Sequence, residues 1–187
     1  RPAAGASSGA WRAWRVPGSG VVAANGYSGP ARSGFIDGLA RMGADLVHDP
    51  GSGALTVRHV GLTGTVVTPD EVPGLVDEVP ILAVAAACAE GETVFEGVGE
   101  LRIKESDRLA TVESELGRMG ADVRADGDTL VVRGGSLRGA GADSHHHHRI
   151  AMSCAVAGRV AVGPTPVGGW EAVARSRPRQ RPRLGGV

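Results

Sequence analysis

Aromatic side chains make up only 3% of the chain, so a core built from stacked rings is excluded and the interior must rest on Val, Leu, Ile and Ala. Apolar residues still account for 42% of the sequence, enough for a sizeable core. Cysteine is as scarce. Cys88 and Cys154 each fall inside an apolar, helix-like run, which excludes a disulfide framework and predicts two buried thiols in a reducing compartment. Charge of one sign is also missing, since Lys+Arg and Asp+Glu both number 20. No global field therefore points to nucleic acid or to an anionic membrane, and any anion site must come from local placement of basic residues. No apolar run approaches the roughly 20 residues that cross a bilayer, and no basic, apolar leader opens the sequence. The expectation is a soluble cytoplasmic protein.

What the chain does hold is punctuation and a repeat. Thirty glycines and eleven prolines imply many short turns. The pentapeptide Arg-Met-Gly-Ala-Asp stands at Arg41–Asp45 and again at Arg118–Asp122. A helix-period run precedes the second copy, with Leu109, Val112, Leu116 and Met119 stepping by three and four residues. Gly43 and Gly120 fall where a helix C-terminus favours positive φ. Strands are predicted at Ala54–Val60 and Thr129–Arg133. Val79–Ala89 reads as an apolar helix with Pro80 in its first turn, and Thr93–Phe95 as a strand. A third, partial copy is read from Arg149, with a helix at Ile150–Ala157 and a strand at Arg159–Val162. This alternation makes the class α/β, with a repeated βαβαββ-like unit. The ends differ: Arg1–Arg15 has no sustained apolar period, and Arg175–Val187 packs five arginines and two prolines into a tail expected to be disordered.

Three charged clusters share one position, the start of a predicted helix. They are Asp77-Glu78, Lys104-Glu105-Ser106-Asp107-Arg108, and His145-His146-His147-His148-Arg149. Helix N-termini present unpaired N–H groups and a partial positive charge, and so attract phosphates and carboxylates. Each cluster also has an ordinary explanation. Asp77 can cap a helix, a cap at Ser106 or Asp107 can explain part of the second run, and charged turns are commonly just solvated. Arg149 is harder to explain, because a cation at a helix start opposes the dipole, and it points to a bound anion or a carboxylate partner. Four consecutive histidines cannot all face one metal, and no further His or Cys lies nearby at ligand spacing, so no metal site is expected.

Taken together, LRIKESDRLA (Leu101–Ala110), DEVPILAVAAACAEGETVFEGVGE (Asp77–Glu100), SGFIDGLARMGAD (Ser33–Asp45) and HRIAMSCAVAG (His148–Gly158) resemble the 5-enolpyruvylshikimate-3-phosphate synthases, also called 3-phosphoshikimate 1-carboxyvinyltransferases. The K-E-[ST]-D-R motif separates this family from the UDP-N-acetylglucosamine enolpyruvyl transferases, which share the fold. The resemblance covers residues 16–174, leaving 1–15 unmatched and 175–187 as the tail. It implies an inside-out α/β barrel fold of repeated βαβαββ units, here one incomplete domain with about two units and part of a third. It implies transfer of the enolpyruvyl group of phosphoenolpyruvate to the 5-hydroxyl of shikimate 3-phosphate, with release of phosphate. It further implies Asp77 as proton acceptor and substrate contact, Glu105 sharing the acid/base work, and Lys104 as a catalytic residue that contacts shikimate 3-phosphate and lies near the reacting atoms. Arg108 and Arg149 would clamp phosphoenolpyruvate bidentately. No cofactor is implied, and the partners are the two small-molecule substrates, without nucleic acid or membrane; the full-length protein is expected to be a monomer.

The sequence departs from the family pattern in three ways. His147 stands where the family usually has aspartate, which bears on the orientation of Arg149. The family's C-terminal phosphate-binding ending is replaced by GGWEAVARS (Gly168–Ser176) and the arginine-rich tail. The N-terminal half of the family is missing, so truncation or a frame change is the expectation, as is inactivity of the isolated chain. The alternative function is an anion-binding module that keeps the fold without turnover.

Overall fold

The computed structural model describes residues 21–25, 33–49, 54–58, 61–103 and 107–176. Its central part is one complete βαβαββ unit. Strand β4 (Val66–Val67) leads through a short 3-10 turn (Val72–Gly74) to helix α2 (Val79–Ala87) and strand β5 (Glu92–Phe95). A one-turn helix α3 (Glu100–Ile103) precedes α4 (Arg108–Arg118) and the hairpin β6 (Asp122–Asp126) and β7 (Thr129–Arg133). The sheet order is β4-β5-β7-β6, with β4 and β5 parallel and the other pairs antiparallel.

The units on either side are two halves of the same pattern. Before the central unit run β1 (Val21–Asn25), α1 (Ser33–Arg41), β2 (Asp45–Asp49) and β3 (Ala54–Arg58), in sheet order β1-β3-β2. Both pairings are antiparallel, as in β5-β7-β6. After the central unit, β8 (Ala142–Asp143), α5 (His148–Val160) and β9 (Val167–Gly168) repeat the parallel β4-α2-β5 opening, and α6 (Glu171–Ser176) follows. The α/β class with repeated βαβαββ units is therefore present. The described sheets do not close into a barrel; helices fill the interior.

Local chemistry accounts for the element ends. The Asp107 carboxylate accepts from the Ala110 N–H at 2.9 Å, capping α4. Gly120 and Gly43 sit at φ +83° and +88°, so each copy of the repeated pentapeptide ends its helix with a residue that carries no Cβ penalty there. Gly134 serves close approach instead: a Cβ there would lie 1.6 Å from the Ala89 carbonyl oxygen.

Helix α2 is apolar on every side, and Val79, Leu82, Ala83, Ala86 and Ala87 are at most 1% exposed. Such a helix has to lie inside. It contacts α1, α4, α5 and β7, with Phe95, Leu130, Leu109, Leu116 and Ile150 in the same core. Arg41 of α1 bridges to Glu71 and lowers that carboxylate's pKa, fastening the first half-unit to the segment ahead of α2.

Four expectations need correction. The predicted strand Arg159–Val162 is not a strand: α5 runs to Val160, and Val162 makes a single bridge to Arg138. The packing of Ile150, Ala151, Cys154 and Ala157 holds the segment in helical period, and this overrides the β-branched residues at its end. The third copy begins at β8, ahead of Arg149, because two strand residues are too few to show a period. Of the two cysteines only Cys154 is buried, its thiol pushed up to about 12 by burial and then by the nearby Glu115 and Asp143 carboxylates. Cys88 is exposed because it falls at the C-cap of α2 with its side chain turned outward, while its neighbours Ala87 and Ala89 stay in the core. The tail expected to be disordered from Arg175 starts inside a helix instead, since Arg175 and Ser176 close α6; the unmatched start 1–15 and the remainder of the tail, 177–187, lie outside the described residues.

Because the core depends on volume and the surface does not, Leu130→Ala, at a fully buried β7 position, should cost about 2–5 kcal/mol in urea denaturation. Val162→Ala, at a position 79% exposed, should change stability by less than about 0.5 kcal/mol.

Candidate active site

Asp77, Arg108 and Arg149 come from three different helix starts. Asp77 precedes α2 by two residues, Arg108 is the first residue of α4, and Arg149 is the second residue of α5. Packing of α4 and α5 against α2 places the three ends side by side. The Asp77 carboxylate then takes both guanidinium groups. Arg149 Nη2 donates to Oδ2 at 2.9 Å, and Arg108 Nη1 reaches Oδ1 at 3.4 Å. Arg149 Nη1 also donates to the Asp77 carbonyl oxygen at 3.2 Å and lies 3.5 Å from a Glu78 carboxylate oxygen.

The ordinary explanation of Asp77, helix capping, does not hold. The N-cap of α2 is Glu78, and no side chain caps that end. Asp107 carries the capping role assigned to the second cluster. The carboxylate partner that a cation at the start of α5 requires is Asp77.

Arg108 is the most enclosed of the three, with its side chain 14% exposed, and its Nε is buried with no protein partner among the described residues. A buried donor left unmade costs about 1–3 kcal/mol, which a ligand oxygen would recover. The Asp77 side chain is 43% exposed, and ion pairs at such sites are worth about 1 kcal/mol or less. The Asp77 pairs are therefore weak enough for a dianionic ligand to compete for the guanidinium groups.

Beside these groups lies a pocket lined by Pro80, Arg108, His146, His147, His148, Arg149 and Ile150. His148 feels it directly: its pKa is lowered by burial, and further by the positive charge of Arg149 and Arg108. His147 occupies the N-cap of α5 in extended conformation without a capping side-chain bond. Its substitution for aspartate does not separate Arg149 from Asp77. Lys104 and Glu105 lie outside the described residues.

Sequence reasoning did not single out Glu115. It is 1% exposed, and its Oε2 accepts from the Asp143 N–H at 2.9 Å while Oε1 lies 3.0 Å from His145 Nε2. A signal was available in the sequence, for Glu115 is a carboxylate set beside Leu116 in the apolar stripe of α4. His145 and His146 hold φ of +48° and +65°, conformations that cost a residue with a side chain about 1–3 kcal/mol each and need surrounding bonds to persist.

Comparison with known proteins agrees with this architecture. Residues 16–184 match the family described as EPSP synthase (3-phosphoshikimate 1-carboxyvinyltransferase). The chain is 50% identical over 157 residues to the 3-phosphoshikimate 1-carboxyvinyltransferase of Herpetosiphon aurantiacus, covering 80% of this chain and 36% of that protein. It is 46% identical over 180 residues to the enzyme of the same name from a Synechocystis species, covering 92% and 40%. Among solved structures, EPSP synthase from Acinetobacter baumannii superposes with a TM-score of 0.76 at 38% identity, covering 84% of this chain and 39% of that one. The enolpyruvyl transferase NikO from Streptomyces tendae shares the fold, with a TM-score of 0.60 at 22% identity over 77% of this chain and 32% of that one. The chain thus spans about two fifths of the length of these relatives. By sequence and by fold, it belongs to the EPSP synthase (3-phosphoshikimate 1-carboxyvinyltransferase) family.

Proposed function

We propose that the whole protein transfers the enolpyruvyl group of phosphoenolpyruvate to the 5-hydroxyl of shikimate 3-phosphate, releasing phosphate, and that residues 16–174 form one wall of its active site. The observation that carries this reading is the meeting of Arg108 and Arg149 on Asp77, with the Arg108 Nε buried and without a partner among the described residues. Two planar guanidinium groups suit the phosphate and carboxylate of phosphoenolpyruvate. When that anion takes the arginines, the Asp77 carboxylate is released from their donors and becomes available to accept the proton of the attacking hydroxyl.

Addition then joins the hydroxyl oxygen to C2 of phosphoenolpyruvate while a proton is delivered to its methylene carbon, giving a tetrahedral intermediate. Elimination removes a proton from the resulting methyl group and expels phosphate. Glu105 is assigned the proton at carbon and Lys104 the contact to shikimate 3-phosphate, both by likeness to the family motif. Fixed charges supply the stabilisation, and no cofactor is assigned. The protein is proposed to work in the cytoplasm as a monomer on small molecules, without nucleic acid or membrane; no described helix is long and apolar enough to cross a membrane.

In the whole enzyme, Lys104→Ala, Glu105→Ala and Arg108→Ala should each lower kcat/KM at least about tenfold, roughly 1.4 kcal/mol of transition-state stabilisation. Steady-state phosphate release measures this, and wild-type rates in all three variants would remove the site assignment. The 187-residue chain assayed alone should release no phosphate and should bind phosphoenolpyruvate in the millimolar range by calorimetry, since one wall alone leaves a bound ligand open to water. Micromolar binding or turnover would show a self-sufficient site.

His148 reports on the same charges. Its pKa lies below the ordinary 6.5, so as pH falls the unfolded chain takes up this proton before the folded one. Its contribution to stability is present above 6.5 and is lost as pH drops through the lowered value. Anion binding at Arg108 and Arg149 offsets their positive charge, so the titration midpoint of His148 should rise when phosphate is added. An NMR titration of its ring protons that shows no rise under saturating phosphate contradicts the site.

A further inference from the structure

We propose that Glu115 is the positioning residue of the arginine pair: from within α4 it fixes the turn Asp143–His147 that feeds Arg149 into the site. The inference rests on the anion-binding reading above for its ligand and on geometry alone for its placement.

Arg108 and Glu115 are seven residues apart on α4, so they share one face of the helix about two turns from each other. The first residue supplies one guanidinium. The second reaches across to the turn that precedes α5, where its two oxygens meet the Asp143 N–H and the His145 ring. Arg118 approaches the same carboxylate at 3.5 Å.

A leucine at this position would bury more apolar surface with no charge to desolvate, and a buried carboxylate is tolerated only where its oxygens are occupied. What Glu115 gains in return is a fixed turn. The backbone at His145 and His146 is in the left-handed region, which histidine does not favour unaided. The His145 N–H donates to Asp143 Oδ1 at 2.7 Å, the His146 N–H to Ser144 Oγ at 3.2 Å, and the His147 N–H to the Ser144 carbonyl at 2.8 Å. These bonds set the shape of the turn, but they lie within it. Glu115 is what ties that shape to α4, and hence to Arg108. Both arginines are thereby referred to one rigid helix, which holds them at the spacing a single anion requires.

The test uses the 187-residue chain and inorganic phosphate, with the backbone amide and guanidinium signals of Arg149 followed by NMR. Glu115→Ala should displace the Arg149 signals and weaken phosphate binding tenfold or more. Glu115→Gln keeps an acceptor for the Asp143 N–H and should restore both to within threefold of wild type. His145→Gly removes the ring contact while relieving the left-handed backbone, so it stays folded and should displace the Arg149 signals as well. Leu116→Ala, the neighbouring core position, should lower the melting temperature and leave Arg149 in place. If Glu115→Ala does not fold, His145→Gly decides the matter. Arg149 signals unchanged in the folded variants overturn the proposal. If the wild-type chain binds no phosphate, the anion-site reading fails, while the ligand-free Arg149 signals still decide the role of Glu115.

Discussion

Everything arranged around the site depends on one carboxylate holding two guanidinium groups. Arg108 and Arg149 lie near the start of helices whose dipoles disfavour positive charge there, and the two cations also repel each other. Asp77 makes their proximity tolerable by accepting from both. The same bonds connect the starts of α2, α4 and α5, which belong to two different repeat units. A surface pair of this exposure is weak in isolation. Here it acts on helices already docked by the apolar surface of α2, so it needs only to orient side chains.

That division of labour explains how the fold is built. The central unit and the two half-units use the same solution, in which a helix lays its apolar side beside a short sheet, and only in α2 does that side extend all the way round. Each sheet is too small to be stable alone, with two, three or four strands. Their shared interior is the set of helices around α2. The helix starts are then the parts of these buried elements that still reach solvent, and charged residues collect there.

Much of this was legible in the sequence where chemistry is local. The pentapeptide Arg-Met-Gly-Ala-Asp marks the end of both repeated helices because Gly43 and Gly120 take up positive φ. The step of Leu109, Val112, Leu116 and Met119 gives the buried face of α4 directly. The same reasoning placed Asp77, Arg108 and Arg149 together at helix starts. It could not say that Asp77 bonds to the arginines in preference to capping α2, since that depends on how three helices dock. The end of α5 was misread for a related reason: Val160 and Val162 favour strand locally, but the helix is held by packing against α2. Strands β8 and β9 span two residues each, too short for a period to show. Glu115 was visible only as an anomaly, a charge in an apolar stripe whose purpose lies 28 residues away at Asp143.

The rigid spacing of Arg108 and Glu115 also limits how this sequence can change in length. A residue inserted between them would rotate Glu115 by about 100° around α4 and advance it by about 1.5 Å. The carboxylate would then leave the turn ahead of α5 and face solvent or another part of the core. The stretch from 108 to 115 is thus locked in helical phase, independent of which side chains its exposed positions carry. The β6–β7 hairpin turn at Gly127 and Asp128 is exposed yet also tied down, since the Gly127 carbonyl accepts from Arg102 Nε at 2.7 Å and the Asp128 carbonyl from the Val98 N–H at 2.8 Å, so a change of length there would break contacts to the α3 segment just as one within α4 would break those of Glu115.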